Sequence, residues 1–312
     1  MDTQTQADMD SRFEALERRL ERAERGLGLA QRRAWVGGTF TLILGVALLA
    51  VLSSPGAEAQ QTGLSWLPRV RALEAKTRAI SRSGNELFIT GVNVHIRDGS
   101  GYTDSGIAHG GPGSGLGNLI IGYNELRGDG TDARNGAHNL IVGNRNNFTS
   151  YGCLVAGYVN SVEAPYANVT GGFKNAVRWT HASVTGGSEN LASGWSSSVS
   201  GGTQNQATTD NASVGGGSKN IASANSASVS GGQVNRASGQ YTSVSGGAGN
   251  VASGNSASVG GGGDNTASGT GATVGGGFRN TASGLDATVS GGANRAAAGS
   301  DDWRAGALFQ DL

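Results

Sequence analysis

Residues 198–217 read SVSGGTQNQATTDNASVGGG. Val199 and Val214 stand 15 residues apart, and a Gly pair, an Asn and an Ala lie between them. The same spacing runs outward in both directions. Valine recurs at Val169, Val184, Val199, Val214, Val229, Val244, Val259, Val274 and Val289. Asparagine recurs at Asn160, Asn175, Asn190, Asn205, Asn220, Asn235, Asn250, Asn265 and Asn280, with Asn294 following after a one-residue deletion. Most copies place an alanine two residues after the asparagine, as at Ala192 and Ala207. A fixed period of this kind is the signature of a stacked solenoid.

Within one unit, alternate side chains point to opposite faces of the chain. Ala, Val and Gly point inward in A-S-V-S-G, and the serines point out. The fold class is therefore mainly β, a parallel β-solenoid of ~15-residue coils. The Gly pair permits a tight turn or close backbone approach. The asparagine column is a turn device whose amides can stack into a ladder along the axis. One buried Val contributes roughly 1.5–3 kcal/mol, whereas ordering one residue's backbone costs roughly 1–2 kcal/mol. A single thin coil is thus unstable; many stacked coils, and several chains together, are expected.

Regular coils cover 160–294. Looser coils precede them over 85–159, where Asn139–Asn146 and Cys153–Asn160 share the frame at a period one position shorter, and Asn118–Glu125 fits after a Gly- and Asp-rich insertion. Val92, Val94 and Ile96 alternate with polar residues and predict a strand with one buried face. Residues 295–312 break the frame, and Trp303 among charges fits a cap on the open end.

The N-terminal third has a different grammar. Met9, Phe13, Leu16, Leu20, Ala23, Leu27 and Ala30 form a heptad seam, predicting a short coiled-coil helix within 1–33. Residues 35–52 are apolar and uncharged, long enough to cross a bilayer as a helix. The segment 34–54 reads as a signal-anchor. Arg32 and Arg33 precede it and no Lys or Arg follows until Arg69. This places the N-terminus in the cytoplasm and the repeats outside, at the cell surface or in a periplasm. Ala57-Glu58-Ala59 also has the form of a signal-peptidase site; either reading exports the repeats. Residues 55–84 form a linker and neck helix with a seam of Val70, Leu73, Thr77 and Ile80.

Composition removes several function classes. The 55 glycines among 312 residues lack the three-residue period and proline of collagen. Net charge is zero, so no basic footprint points to nucleic acid. Cys153 is the only cysteine, which excludes an intrachain disulfide. His95, His109, His138 and His181 have no metal-ligand spacing. Neither a P-loop nor a Ser/His/Asp set can be nominated, and no enzyme activity, cofactor or metal is expected. The variable positions hold Trp179, Trp195, Tyr241, Phe278 and Leu285, and read equally as a subunit interface or a ligand-facing surface.

The unit S-V-S-G-G-x-x-N-x-A-S-G, over roughly 139–293, resembles the head repeats of trimeric autotransporter adhesins. That resemblance implies a left-handed parallel β-roll, assembly as a trimer, and binding to host or matrix surfaces. The likeness stops at the ends. The C-terminal β-barrel anchor and long stalk of that family have no counterpart here, and the anchor is N-terminal. The expectation is a non-enzymatic, surface-exposed structural or adhesive trimer, with an extracellular matrix or glycan ligand as a partner class. The alternative is an ice- or polysaccharide-binding solenoid that uses outward columns such as Ser198/Ser200, Ser228/Ser230 and Thr288/Ser290.

Overall fold

The structure, a computed structural model, describes residues 67–107, 111 and 113–305. It divides into two compact units between Asn93 and Val94. The expected coiled coil at 9–30, the membrane segment at 35–52 and the Ala57–Ala59 site lie outside the described residues. Among the described residues, no helix is long and apolar enough to cross a membrane.

The first unit holds α1 (Leu67–Thr77), β1 (Ile80–Ser83) and β2 (Glu86–Ile89). The neck seam is helical only as far as Thr77, whose hydroxyl donates to the Leu73 carbonyl at 2.9 Å. Ile80 belongs instead to an antiparallel hairpin, opposite Ile89. Gly84, at φ +56°, supplies the left-handed residue of the tight turn. The strand expected over Val92–Ile96 does not form. Alternation specifies two faces, but a strand also needs a ladder partner, and none pairs with these residues.

The second unit is the solenoid. One sheet has 13 parallel strands, running from Leu119–Ile121 to Trp303–Arg304. A second has 11, from Asn147–Phe148 to Ala296–Ala297. We call them the valine sheet and the alanine sheet. Each regular coil adds a two-residue strand to both, in strict register: Val184 pairs with Val199, and Ala192 with Ala207. A third line of single bridges links Tyr158, Phe173, Ser188, Thr203 and onward to Ala293. At ~4.8 Å per strand, the valine sheet extends roughly 6 nm.

The coil bends because three of its residues adopt left-handed backbone. In the coil beginning at Ser198 these are Gly202 (φ +81°), Gln204 (+58°) and Asn211 (+58°). The reversals also redirect hydrogen bonds. Ser198, Ser200, Thr203, Gln206 and Thr208 donate their N–H groups to the following coil, whereas Gln204 and Asn211 donate to the preceding one. A left-handed non-glycine residue costs about 1–2 kcal/mol, and each inter-coil hydrogen bond returns about 0.5–1.5 kcal/mol net. Seven such bonds per coil outweigh the two bends at non-glycine residues. They also match or exceed what one Val and two or three Ala can supply by burial.

The interior follows this economy of space. Val199, Ala207 and Ala212 are fully enclosed, as are their counterparts in neighbouring coils. The first coils are bulkier: Phe148, Val162 and Val177 occupy the column that is Ala from Ala192 onward. The coil lengthens by one position after Asn168, which pairs backward with Leu154 and forward with Ser183.

Candidate functional site

The best-defined polar construction is the asparagine column. Asn160, Asn175, Asn190, Asn205, Asn220, Asn235, Asn250, Asn265 and Asn280 are all buried. Each Oδ1 accepts the backbone N–H of the next member, as from Asn190 to Asn175 at 2.9 Å. Each Nδ2 donates twice: from Asn190 to the Gly186 carbonyl of its own coil at 2.9 Å, and to the Gly202 carbonyl of the next at 3.0 Å. The column does not continue at Asn294 after a deletion: the frame runs on at 15 residues, so Arg295 takes the tenth place and donates its N–H to Asn280, while Asn294 falls in the neighbouring left-handed column. The column is a structural spine, with every polar atom of the amide consumed.

That spine separates the two glycines of each pair. A Cβ on Gly202 would lie 2.1 Å from the Gly217 carbonyl and 2.6 Å from Asn205 Nδ2, while one on Gly201 would meet nothing within 4 Å. Only the second glycine is demanded by space.

The outer face of the valine sheet carries two columns flanking the buried valines. From Ser183 to Ser290 they hold Ser, Thr and Gly, with the serines and threonines set at strand pitch. In the first three coils the same columns hold Leu119, Ile121, Leu140, Val142, Leu154 and Ala156. Leu119, Ile121 and Leu140 are exposed. The outer face of the alanine sheet is different, and includes Glu163, Arg178 and Arg236.

The variable corner gathers aromatic side chains that sequence spacing alone does not connect. Tyr166 stacks on His181 with centroids 5.7 Å apart, and meets Tyr151 edge-on at 5.4 Å. His181 meets Trp195 at 6.1 Å. Rings stacked along the axis cover one another's faces and turn their edges to solvent. Trp179, Tyr241, Phe278 and Leu285 are also exposed. Arg279 lies over the Phe278 ring at 4.7 Å, and Lys174 over Phe173 at 5.1 Å.

A second polar cluster sits before the first coil; its serines are near Asp98 in the chain but carry no motif, and His138 joins them from 40 residues away, which spacing does not reveal. The Asp98 carboxylate accepts hydrogen bonds from the hydroxyls of Ser100, Ser105 and Ser114 and from the Ser100 N–H. Those donors hold its pKa well below the usual carboxylate range. His138, itself left-handed at φ +53°, places Nδ1 2.7 Å from the Thr103 carbonyl and Nε2 3.3 Å from the Asp98 N–H. The ring is thereby held between the Thr103 carbonyl and the Asp98 backbone. The cluster ties Asp98, Ser100, Ser105 and Ser114 to the first coil and borders a cavity of about 670 Å³ lined by Val94, Ile96, Tyr102 and His138 among others.

Cys153 lies in the corner column that precedes the valine-sheet strands. Asn118 and Asn139 fill that column in earlier coils, with Asn139 Oδ1 accepting the Cys153 N–H at 2.9 Å. Burial pushes the thiol up to about 11. At the far end, Trp303 lies on the outer column, where its Nε1 donates to the Ser290 hydroxyl at 2.9 Å. Arg304, paired with Val289, takes the valine position. A charged residue there ends the core column.

The fold defines the chain as a parallel β-solenoid repeat protein. No protein-family model matches it, and no curated protein matches it.

Proposed function

We propose that the chain is a non-enzymatic rod with a structural or adhesive role, displayed outside the cytoplasmic membrane. In this reading it assembles as a trimer of left-handed rolls and is tethered through residues 35–52. The observation that carries the reading is the repetition itself. One coil is stacked without change of register from Asn168 to Val289, held by backbone and asparagine hydrogen bonds around a minimal core. Such a stack serves to project and present a surface at a fixed distance. The alanine-sheet face and the aromatic corner vary from coil to coil and are available to a matrix or glycan partner.

Antibody against residues 160–294, applied to intact cells expressing the full chain, tests the display. Labelling of intact cells, or of spheroplasts with the cytoplasmic membrane sealed, is expected; labelling only once the cytoplasmic membrane is permeabilised overturns it.

A second reading is favoured by one observation. One outer column of the valine sheet, from Ser183 to Thr288, holds only serine and threonine in register at strand pitch, a regular hydroxyl row that an ice or polysaccharide surface could match, beside a second column interrupted by Gly215, Gly260 and Gly275. Thermal hysteresis of the purified chain decides the ice form: a freezing-point gap supports it, and none at high concentration removes it.

A further inference from the structure

We infer that the outer face of the valine sheet is where copies of this chain pack against one another, in parallel and in register. The inference rests on the multichain reading above and names the surface that reading requires. Its carrier is the apolar grid at the start of the sheet. Leu119, Leu140 and Leu154 form one outward column; Ile121, Val142 and Ala156 form the other. Leu119 is 46% exposed, Ile121 55% and Leu140 37%. These are outward positions of a ladder whose inward positions Ile141 and Val155 fill the core; Ile120, inward in the strand that ends the sheet, is itself 37% exposed, so Leu140, inside the sheet, is the clearer outward apolar residue. Among the described residues of the solenoid nothing covers the grid, and apolar side chains clustered on an outer face mark a contact surface.

Polarity indicates what covers it. Across both outer columns, from Leu119 to Ser290, no position carries a charge. A basic or acidic partner would find nothing complementary. A copy of the same face would find Leu and Ile against Leu and Ile, then small hydroxyl side chains against small hydroxyl side chains. Head-to-tail reversal would set the leucines against serines, so the match holds only for parallel copies.

Area sets the extent. The sheet is roughly 60 Å long at strand pitch and about 10 Å wide across its two columns. Two such faces bury on the order of 1,200 Å² in total, the lower limit of a stable specific interface. The contact must therefore use most of the length, with the apolar grid fixing the register.

The test uses the full chain in detergent, with one cysteine added on either face. S228C lies on the outer valine-sheet column, and S223C on the outer face of the alanine sheet. The native Cys153 is buried and is its own control. Mild oxidation should give disulfide-linked pairs with S228C and not with S223C. Leu140→Glu should reduce the light-scattering mass to one chain while the circular dichroism of the coils persists. Cross-linking through S223C but not S228C, in an assembly of multichain mass, overturns this assignment and leaves the oligomer standing. A single-chain mass for the unsubstituted protein overturns the multichain reading itself.

Discussion

The backbone N–H of Asn205 donates to the side-chain oxygen of Asn190, 15 residues earlier, at 2.9 Å. The bond repeats from coil to coil, so each asparagine both receives its predecessor's support and supplies its successor's. Asn220→Ala would leave the Gly216 carbonyl and the Asn235 N–H without their partner, while the Gly232 carbonyl would keep the Ser218 N–H and lose only its second donor. A buried group left unpaired costs about 1–3 kcal/mol. The expected loss is at least about 2 kcal/mol in denaturant unfolding, localised by hydrogen exchange to the substituted coil and its neighbours.

The two glycines of one pair should behave oppositely. Gly217 has φ +85°, and a Cβ there would lie 2.0 Å from the Gly232 carbonyl. Gly216 faces open space. Gly217→Ala should lower the melting temperature steeply. Gly216→Ala should be neutral, or stabilising by about 0.4–1 kcal/mol through the lost freedom of the unfolded chain. Thermal denaturation of the two variants compares them directly.

Cys153 should be silent to alkylating reagents at pH 8 in the folded protein and reactive once denatured. Its folded thiol value is raised above the ordinary 9.0 to about 11. The unfolded chain thus ionises first as pH rises. The contribution to stability is whole below pH 9 and is lost as pH climbs through 11. Cys153→Ala should remove this alkaline loss, since Ala167 and Ala182 fill the same corner column in later coils.

Asp98 has the opposite sign. Its folded value is depressed by the serine hydroxyls and the Ser100 N–H around it. Its hold on the loop of residues 98–107 is complete above the ordinary carboxylate range and is lost only as pH falls well below it. Limited proteolysis should find this loop resistant from pH 5 to pH 8. Asp98→Ala should open it to cleavage at neutral pH while the coils from Asn139 onward stay intact.

Much of the fold was legible because one coil is repeated often enough to average out its substitutions. Val199 and Val214 announce the valine sheet, Ala192 and Ala207 the alanine sheet, and Asn190 and Asn205 the spine. The corners were harder. Their left-handed residues include Lys174, Glu189, Gln204 and Lys219, types that carry no turn signal. The hint lay in other members of the same columns, namely Asp264, Gly249 and Asn294 in one, and Asn211, Gly271 and Asp286 in the other. The Gly pair looked like one device because spacing cannot reveal which glycine faces the next coil. The alternation of Val92, Val94 and Ile96 misled because pairing is a property of two segments. The Asp98–His138 contact was invisible because it joins a loop to a coil corner that is remote from it along the chain.

The light-scattering mass of the full chain in detergent, corrected for the bound detergent, tests the central claim most directly. A trimeric rod predicts three times the 31.3 kDa of one chain. A stable, folded species of one chain's mass would contradict it.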